Sequence, residues 1–300
     1  MPPIETRAAG FIGVFDSGIG GLSVLQALRA EMPQERFVYW ADSGYAPYGE
    51  RSDEFVIERS RFITQQLLAQ GHVKAIVVAC NTATAVAIES LRATFPDVPF
   101  IGVEPALRPA LAQTQTLRVG VMGTQATLRS QRFDKLMQSV LTDAAPKSCA
   151  FVLQACKGLA LAIEQQTEKP LDDTQALEAL CAQHIQCMGP FGNALGQIDT
   201  LVLGCTHYVF VEDILRRLVG PQVNIISTGQ AVAKQTQRQL VSAIGPAATA
   251  VYEDDIQLWT SGALHSLELA ASRWLQISAD HCHLAHITHP SVNDTVKANV

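Results

Sequence analysis

Short apolar runs alternate with longer amphipathic segments along this 300-residue chain, and this alternation constrains the fold more than any other feature. Eight runs have the composition of β-strands: residues 11–15, 37–41, 75–79, 100–103, 119–122, 151–153, 201–203 and 224–226. Several are apolar throughout, which is typical of central strands in a parallel sheet that helices cover on both faces. The alternation therefore predicts an α/β fold with right-handed crossover connections.

The segments between the runs have the period of amphipathic helices. In residues 52–71, for example, Phe55, Phe62 and Leu67 share one stripe, and Gly71 ends the pattern. A chain of this length exceeds what one hydrophobic core usually organises, so we expect two domains. Turn residues after two predicted strands place the crossings near residues 103 and 228, which predicts one domain from 1–103 and 228–300 and another from 104–227.

Composition excludes several classes of protein. Only 17% of residues are charged, 48% are hydrophobic, and the net charge is −6, so we expect neither a nucleic-acid nor an anionic-membrane partner. No apolar run approaches the roughly 20 residues of a membrane span, and the start lacks the features of a signal peptide. The seven cysteines include no Cys-x-x-Cys pair, so we expect reduced thiols in a cytoplasmic protein.

Two of these cysteines lie in matching contexts. Ala-Ile-Val-Val-Ala-Cys80-Asn81-Thr82 and Thr-Leu-Val-Leu-Gly-Cys205-Thr206-His207 are each a strand, then a cysteine, then residues suited to open a helix. Ligands of open α/β sheets bind at the carboxyl ends of strands. A helix N-terminus there favours a thiolate and predicts a lowered pKa for each thiol.

Two thiols in two half-sites suggest inversion of a stereocentre, in which one group removes a proton and another supplies one from the opposite face. A cysteine hydrolase would need only one such thiol, with a histidine. The remaining cysteines that we weighed are more simply buried, inert side chains: Cys149, Cys156, Cys181 and Cys187.

Three further strand-end segments carry polar groups. Asp16 and Ser17 precede a glycine-rich turn that lets the chain approach a ligand, although this turn lacks both the dinucleotide-binding and the P-loop patterns. Asp16 could equally cap a helix. Tyr48 and Gly49 lie in a turn-rich segment that could bind a polar ligand or simply be a solvated loop, and Thr124 lies at a junction suited to an anion.

Taken together, these segments resemble the glutamate racemases, cofactor-independent enzymes of the aspartate/glutamate racemase superfamily. The resemblance rests on five motifs in the family's order: Phe-Asp-Ser-Gly-Ile-Gly-Gly from residue 15, Pro-Tyr-Gly from 47, Ala-Cys-Asn-Thr-Ala from 79, Gly-Thr from 123 and Gly-Cys-Thr-His-Tyr from 204. The last motif favours glutamate over aspartate. The resemblance implies two pseudo-symmetric domains with the substrate enclosed between them, and a role in making D-glutamate for peptidoglycan, and hence in cell-wall biogenesis and cell shape.

The resemblance also implies roles for individual residues. Cys80 would deprotonate D-glutamate with help from Asp16, and Cys205 would deprotonate L-glutamate with help from His207, while Glu164 matches a further acidic residue. The groups expected to hold the substrate are Asp16, Ser17, Tyr48, Gly49, Asn81, Thr82, Thr124, Thr206 and His207. No cofactor is implied.

Some features depart from this pattern or lie outside it. Lys157 stands where the family commonly has proline, and Ser227-Thr228 where it often has Asp-Ser. His281, Cys282, His283, His286 and His289 could bind a metal, but their spacing fits no standard site and favours a polar terminal strand. A racemase or decarboxylase of the same superfamily with another acidic substrate stays open, as do a non-catalytic amino-acid-binding or regulatory protein and a homodimer.

Overall fold

The computed structural model describes residues 10–144, 149–170, 172–244 and 256–285, and it confirms the α/β class. The strands are β1 (Phe11–Asp16), β2 (Phe37–Ala41), β3 (Val73–Val78), β4 (Phe100–Gly102), β5 (Arg118–Gly123), β6 (Ala150–Ala155), β7 (Thr200–Gly204), β8 (Asn224–Ile226), β9 (Ile256–Thr260) and β10 (Cys282–Leu284). The α-helices are α1 (Leu22–Glu31), α2 (Asp53–Ala69), α3 (Asn81–Thr94), α4 (Leu107–Gln113), α5 (Gln125–Leu128), α6 (Gln131–Ala144), α7 (Leu159–Gln166), α8 (Gln175–Gln186), α9 (Glu212–Val219), α10 (Gly229–Ile244) and α11 (Leu264–Ala270).

The strands form two sheets. The first has the order β10-β9-β2-β1-β3-β4 and the second the order β6-β5-β7-β8. Every strand pair is parallel, so the carboxyl ends of each sheet lie at one edge, where ligands of α/β proteins bind.

Burial explains why the central strands are apolar throughout. All six residues of β1 and all five of β7 are buried, and hydrophobic clusters cover both faces of the first sheet. Each fully buried large apolar side chain contributes about 1.5–3 kcal/mol relative to exposure. Helix α2 begins where its cap residue predicts: the Ser52 side chain accepts a hydrogen bond from the Phe55 amide, 3.3 Å away.

The second sheet is inserted between strands of the first. Strands β1–β4 and β9–β10 belong to the first sheet and β5–β8 to the second, so the chain crosses between sheets after β4 and again after β8. The division into domains at residues 103 and 228 remains our prediction for the boundaries of the two units.

The prediction missed β9, which pairs with β2 in the first sheet. Its sequence, Ile-Gln-Leu-Trp-Thr, is interrupted by polar residues, unlike the continuous apolar runs of the central strands. Its burial alternates, with Ile256, Leu258 and Thr260 buried and Gln257 exposed.

The terminal histidines are only partly described. His281 and His283 lie at or in β10, while His286 and His289 lie outside the described residues. Within the described ranges, no three His, Cys, Asp or Glu side chains are grouped as a metal site. Among the same residues, no helix has both the length and the apolar character needed to span a bilayer.

Candidate active site

Cys80 follows β3 and caps α3. Its sulfur accepts a hydrogen bond from the Ala83 amide at 3.4 Å and lies 3.7 Å from Ser17 Oγ. Burial raises the pKa of this thiol, the nearby Asp16 carboxylate raises the pKa further, and the Ala83 amide lowers it by less. The prediction that the helix N-terminus sets a lowered pKa was therefore wrong for Cys80, because desolvation outweighs one amide.

A chain of hydrogen bonds connects the ends of β1 and β7. Asp16 Oδ1 accepts from the Ser17 amide at 2.5 Å and from Ser17 Oγ at 3.1 Å, and Asp16 Oδ2 accepts from Thr206 Oγ1 at 2.8 Å. Cys205 is also close enough to raise the pKa of Cys80. The two matching segments around Cys80 and Cys205 thus lie together, one from each sheet.

Cys205, His207 and Glu164 form a second chain. The Cys205 sulfur lies 3.9 Å from His207 Nδ1, and His207 Nε2 lies 2.7 Å from Glu164 Oε2. Burial lowers the pKa of His207, but its hydrogen bonds to Cys205 and Glu164 outweigh burial and raise the pKa well above its ordinary value. This position between a thiol and a carboxylate therefore favours the protonated form of the imidazole.

Glu164 extends from α7, which packs on the second sheet, to the glycine-rich turn after β1. Both of its oxygens accept from the Ile19 amide, at 3.2 and 3.1 Å, and Oε1 also accepts from Ser43 Oγ at 2.7 Å. A Cβ at Gly18 would lie 2.5 Å from Glu164 Oε2, and one at Gly20 would lie 2.3 Å from a His207 ring nitrogen. These glycines thus permit close approach to catalytic-site side chains of the second sheet.

Three predicted binding residues meet at another point between the sheets. Thr82 Oγ1 and Thr124 Oγ1 are 2.9 Å apart, and Thr124 Oγ1 also accepts from the Thr127 amide at 3.2 Å. A Cβ at Gly49 would lie 2.8 Å from Thr124 Cβ. Asn81 donates from Nδ2 to Val103 O at 3.5 Å, and its buried Oδ1 has no hydrogen-bond donor among the described residues.

Tyr48 has a hydroxyl that is already engaged within the protein. It donates to Asp42 Oδ2 at 2.5 Å, and Arg59 binds both oxygens of the same carboxylate at 2.9 and 2.7 Å. Ser261 donates to Asp42 as well. Asp42 was not among the residues predicted from the sequence. It follows β2 just as Asp16 ends β1, and this strand-end position is the signal that could have identified Asp42.

A cavity of about 270 Å³ opens beside Gly49 and Thr124. It is lined by Pro47, Gly49, Glu50, Thr124, Gln125, Cys156, Lys157, Gly158, Ala160 and Leu161. Burial raises the pKa of Cys156 to about 12, so this thiol is neutral under ordinary conditions. Lys157, where the family commonly has proline, is exposed at the rim.

Each of the two parallel sheets brings one strand-end thiol, with its own ionisable neighbour, to a shared site. This arrangement defines the class of the amino-acid racemases, which are isomerases. The sequence model of the Asp/Glu/Hydantoin racemase family matches residues 22–236. The chain is 42% identical over 262 residues to a glutamate racemase of Ectopseudomonas mendocina, covering 86% of this chain and 91% of the relative. The chain belongs to the Asp/Glu/Hydantoin racemase family.

Solved structures agree with this assignment. The glutamate racemase isoform RacE1 of Bacillus anthracis superimposes with a TM-score of 0.78 at 31% identity, covering 94% of this chain and 98% of that one. The Escherichia coli glutamate racemase, solved with L-glutamate and the activator UDP-MurNAc-Ala, has a TM-score of 0.74 at 26% identity and covers 88% and 95%.

Proposed function

We propose that this enzyme interconverts L-glutamate and D-glutamate, with Cys80 and Cys205 as the two groups that exchange protons with the substrate. The observation that carries the proposal is the meeting of two strand-end thiols, one beside Asp16 and the other beside His207. The curated relatives named glutamate racemase support the choice of substrate, as does the L-glutamate bound to the E. coli enzyme.

In the proposed reaction, protons balance without any other reactant. With D-glutamate, the Cys80 thiolate takes the α-proton and the Cys205 thiol supplies one to the opposite face of the carbanion. With L-glutamate, the two cysteines exchange roles. Asp16 assists Cys80 and His207 assists Cys205, with Glu164 hydrogen-bonded to the far nitrogen of the imidazole.

The polar groups around the thiols would hold the substrate's two carboxylates and its ammonium. We assign this role to Ser17, Tyr48, Gly49, Asn81, Thr82, Thr124 and Thr206, together with Asp16 and His207. Because the Tyr48 hydroxyl donates its proton to Asp42, this hydroxyl would meet the substrate as a hydrogen-bond acceptor. The unmatched Oδ1 of Asn81 is an acceptor suited to the ammonium.

We further propose that the enzyme is cytoplasmic and supplies D-glutamate for peptidoglycan, acting as a monomer or as a homodimer. The substrate would bind between two domains divided at residues 103 and 228. A chiral assay against a panel of L- and D-amino acids tests the substrate. Racemisation of another acidic amino acid in preference to glutamate would replace the substrate assignment.

Replacing each cysteine tests the mechanism. In deuterium oxide, either enantiomer should racemise with exchange of its α-proton, and Cys80→Ala and Cys205→Ala should each abolish racemisation because each direction needs both thiols. Cys187→Ala is the matched control and should racemise normally, since Cys187 is exposed, and not buried as the sequence predicted. Near-normal racemisation by either of the first two variants would refute the two-thiol mechanism.

A further inference from the structure

Ser43 lies in the turn after β2, and its hydroxyl makes a long-range contact. Ser43 Oγ donates to Glu164 Oε1 at 2.7 Å, across 121 positions of sequence. We infer that Ser43 is a positioning residue for proton transfer at Cys205, because it holds Glu164 and, through Glu164, the imidazole of His207. This inference rests on the proposed function.

The geometry shows why Glu164 needs this contact. The Ile19 amide is shared almost equally by the two carboxylate oxygens, at 3.2 and 3.1 Å, so it does not select one oxygen over the other. Ser43 binds only Oε1, and this leaves Oε2 to meet His207 Nε2 at 2.7 Å. Ser43 therefore fixes the rotation of a long side chain that would otherwise lose its orientation towards the imidazole.

The effect of Ser43 should be confined to one half of the site. The polar atoms that contact the Cys80 sulfur belong to Ser17 and Ala83. Among the ionisable side chains of the described residues, Ser43 Oγ forms a hydrogen bond only with Glu164. Loss of the hydroxyl should thus raise the barrier for proton transfer at Cys205 and leave the barrier at Cys80 unchanged.

Rates alone cannot reveal such an asymmetry. L- and D-glutamate have equal free energies, so kcat/KM must change by the same factor in both directions. For Ser43→Ala we expect a fall of about 10-fold, the usual effect of one lost hydrogen bond to a charged group. The primary isotope effect of α-deuterated substrates distinguishes the two steps, because L-glutamate loses its deuteron to Cys205 and D-glutamate to Cys80.

In Ser43→Ala, the isotope effect on kcat/KM should rise for α-deuterated L-glutamate, since the Cys205 step becomes more rate-limiting, and should fall for α-deuterated D-glutamate. Ser43→Thr keeps a hydroxyl and should restore the wild-type pair of values. Ser261→Ala removes a hydroxyl that contacts Asp42 and the Gly44 amide of the same turn but not Glu164. It therefore tests a general disturbance of the turn, and it should leave the ratio of the two isotope effects unchanged.

A second measurement covers the case in which Ser43→Ala alters the turn as a whole. If Ser43 acts through Glu164, adding Ser43→Ala to Glu164→Ala, which removes the acceptor of the Ser43 hydroxyl, should cost no further activity. Isotope effects that stay equal to wild type or move in the same direction for both enantiomers, or additive losses in the double variant, would overturn the inference. Absence of glutamate racemisation in the wild type would instead refute the proposed function.

Discussion

At the scale of single residues, the turn after β1 shows how closely the backbone approaches the catalytic side chains. A Cβ on Gly20 would lie 2.3 Å from His207 Nδ1 and 2.6 Å from Thr206 Oγ1. Gly20→Ala should therefore displace His207 and lower kcat/KM by about 100-fold, the usual effect of a displacement of about 1 Å. Gly229→Ala, whose nearest contact would be Ala27 Cβ at 3.2 Å, is the control and should remain active. Equal activities of the two variants would contradict this account of the turn.

The pH dependence of the reaction also belongs to single residues. Burial and Asp16 raise the pKa of Cys80, so the thiol of the free enzyme is protonated at neutral pH. Since kcat/KM reports the ionisation of the free enzyme, it should increase as pH rises above neutrality and fall as pH is lowered. A profile measured between pH 6 and 9.5 tests this expectation, and a rate that stays flat well below neutrality would argue against a thiol base.

Sequence patterns could identify only those site residues whose position follows from local structure. Cys80 and Cys205 each follow a buried strand, and that local context predicts where they lie. Ser43 was not predicted because its contact with Glu164 exists only after two distant segments pack together. The predicted lowering of the Cys80 pKa was wrong for a related reason, since the degree of burial is a property of the folded molecule.

At the scale of elements, all eight predicted strands are present. The central strands β1 and β7 are buried throughout, and a buried parallel strand needs a continuous apolar run. The boundaries of the eight strands differ from the predicted ones by at most two residues; β3, for example, begins at Val73 and not at residue 75. Strand β9 was missed because Gln257 and Thr260 interrupt its apolar run. Its neighbour β10 agrees with the expected polar terminal strand.

Asp199 anchors the segment that crosses between the sheets to the start of β7. Its carboxylate accepts from Thr114 Oγ1 at 2.6 Å and from the amides of Gln115 and Thr116 at 2.6 and 2.8 Å. Burial alone would raise the pKa of Asp199, but these hydrogen bonds and one from Thr200 lower it below 3.8. The carboxylate therefore stabilises the fold above about pH 4, and this stabilisation is lost as the pH falls through the lowered pKa.

Asp199→Asn should consequently lower the free energy of unfolding by about 1–3 kcal/mol near neutral pH. The difference from wild type should narrow as the pH drops below 4, where the wild-type carboxyl becomes protonated. Thermal unfolding at a series of pH values measures this effect, with the exposed Asp97 replaced by asparagine as the control. A difference that is constant with pH would exclude the ionised carboxylate as its source.

At the scale of the whole molecule, Glu164 links α7 of the second sheet to the turn after β1 in the first. Glu164→Ala removes the acceptor of the Ile19 amide, so this amide should exchange with solvent at least about 10-fold faster. Hydrogen exchange resolved to residues 17–22 measures the change, while the amides within β1 should keep their wild-type rates. Glu58→Ala, on the exposed face of α2, should alter neither. Unchanged exchange at Ile19 would show that Glu164 does not hold the two sheets together.

The insertion of the second sheet into the first has a consequence for synthesis on the ribosome. Strands β5 to β8 are complete once residue 226 has been made, so the second sheet can form while the chain is still growing. The first sheet is completed later. Strands β1 to β4 can pair with one another, but β2 also pairs with β9, as in the register of Tyr39 with Leu258. Until residue 260 emerges, one edge of β2 has no strand beside it, and an apolar strand edge of this kind is prone to pair with other chains. Until β9 has been made, the open edge of β2 is therefore a place at which the N-terminal third of the nascent protein can pair with another chain.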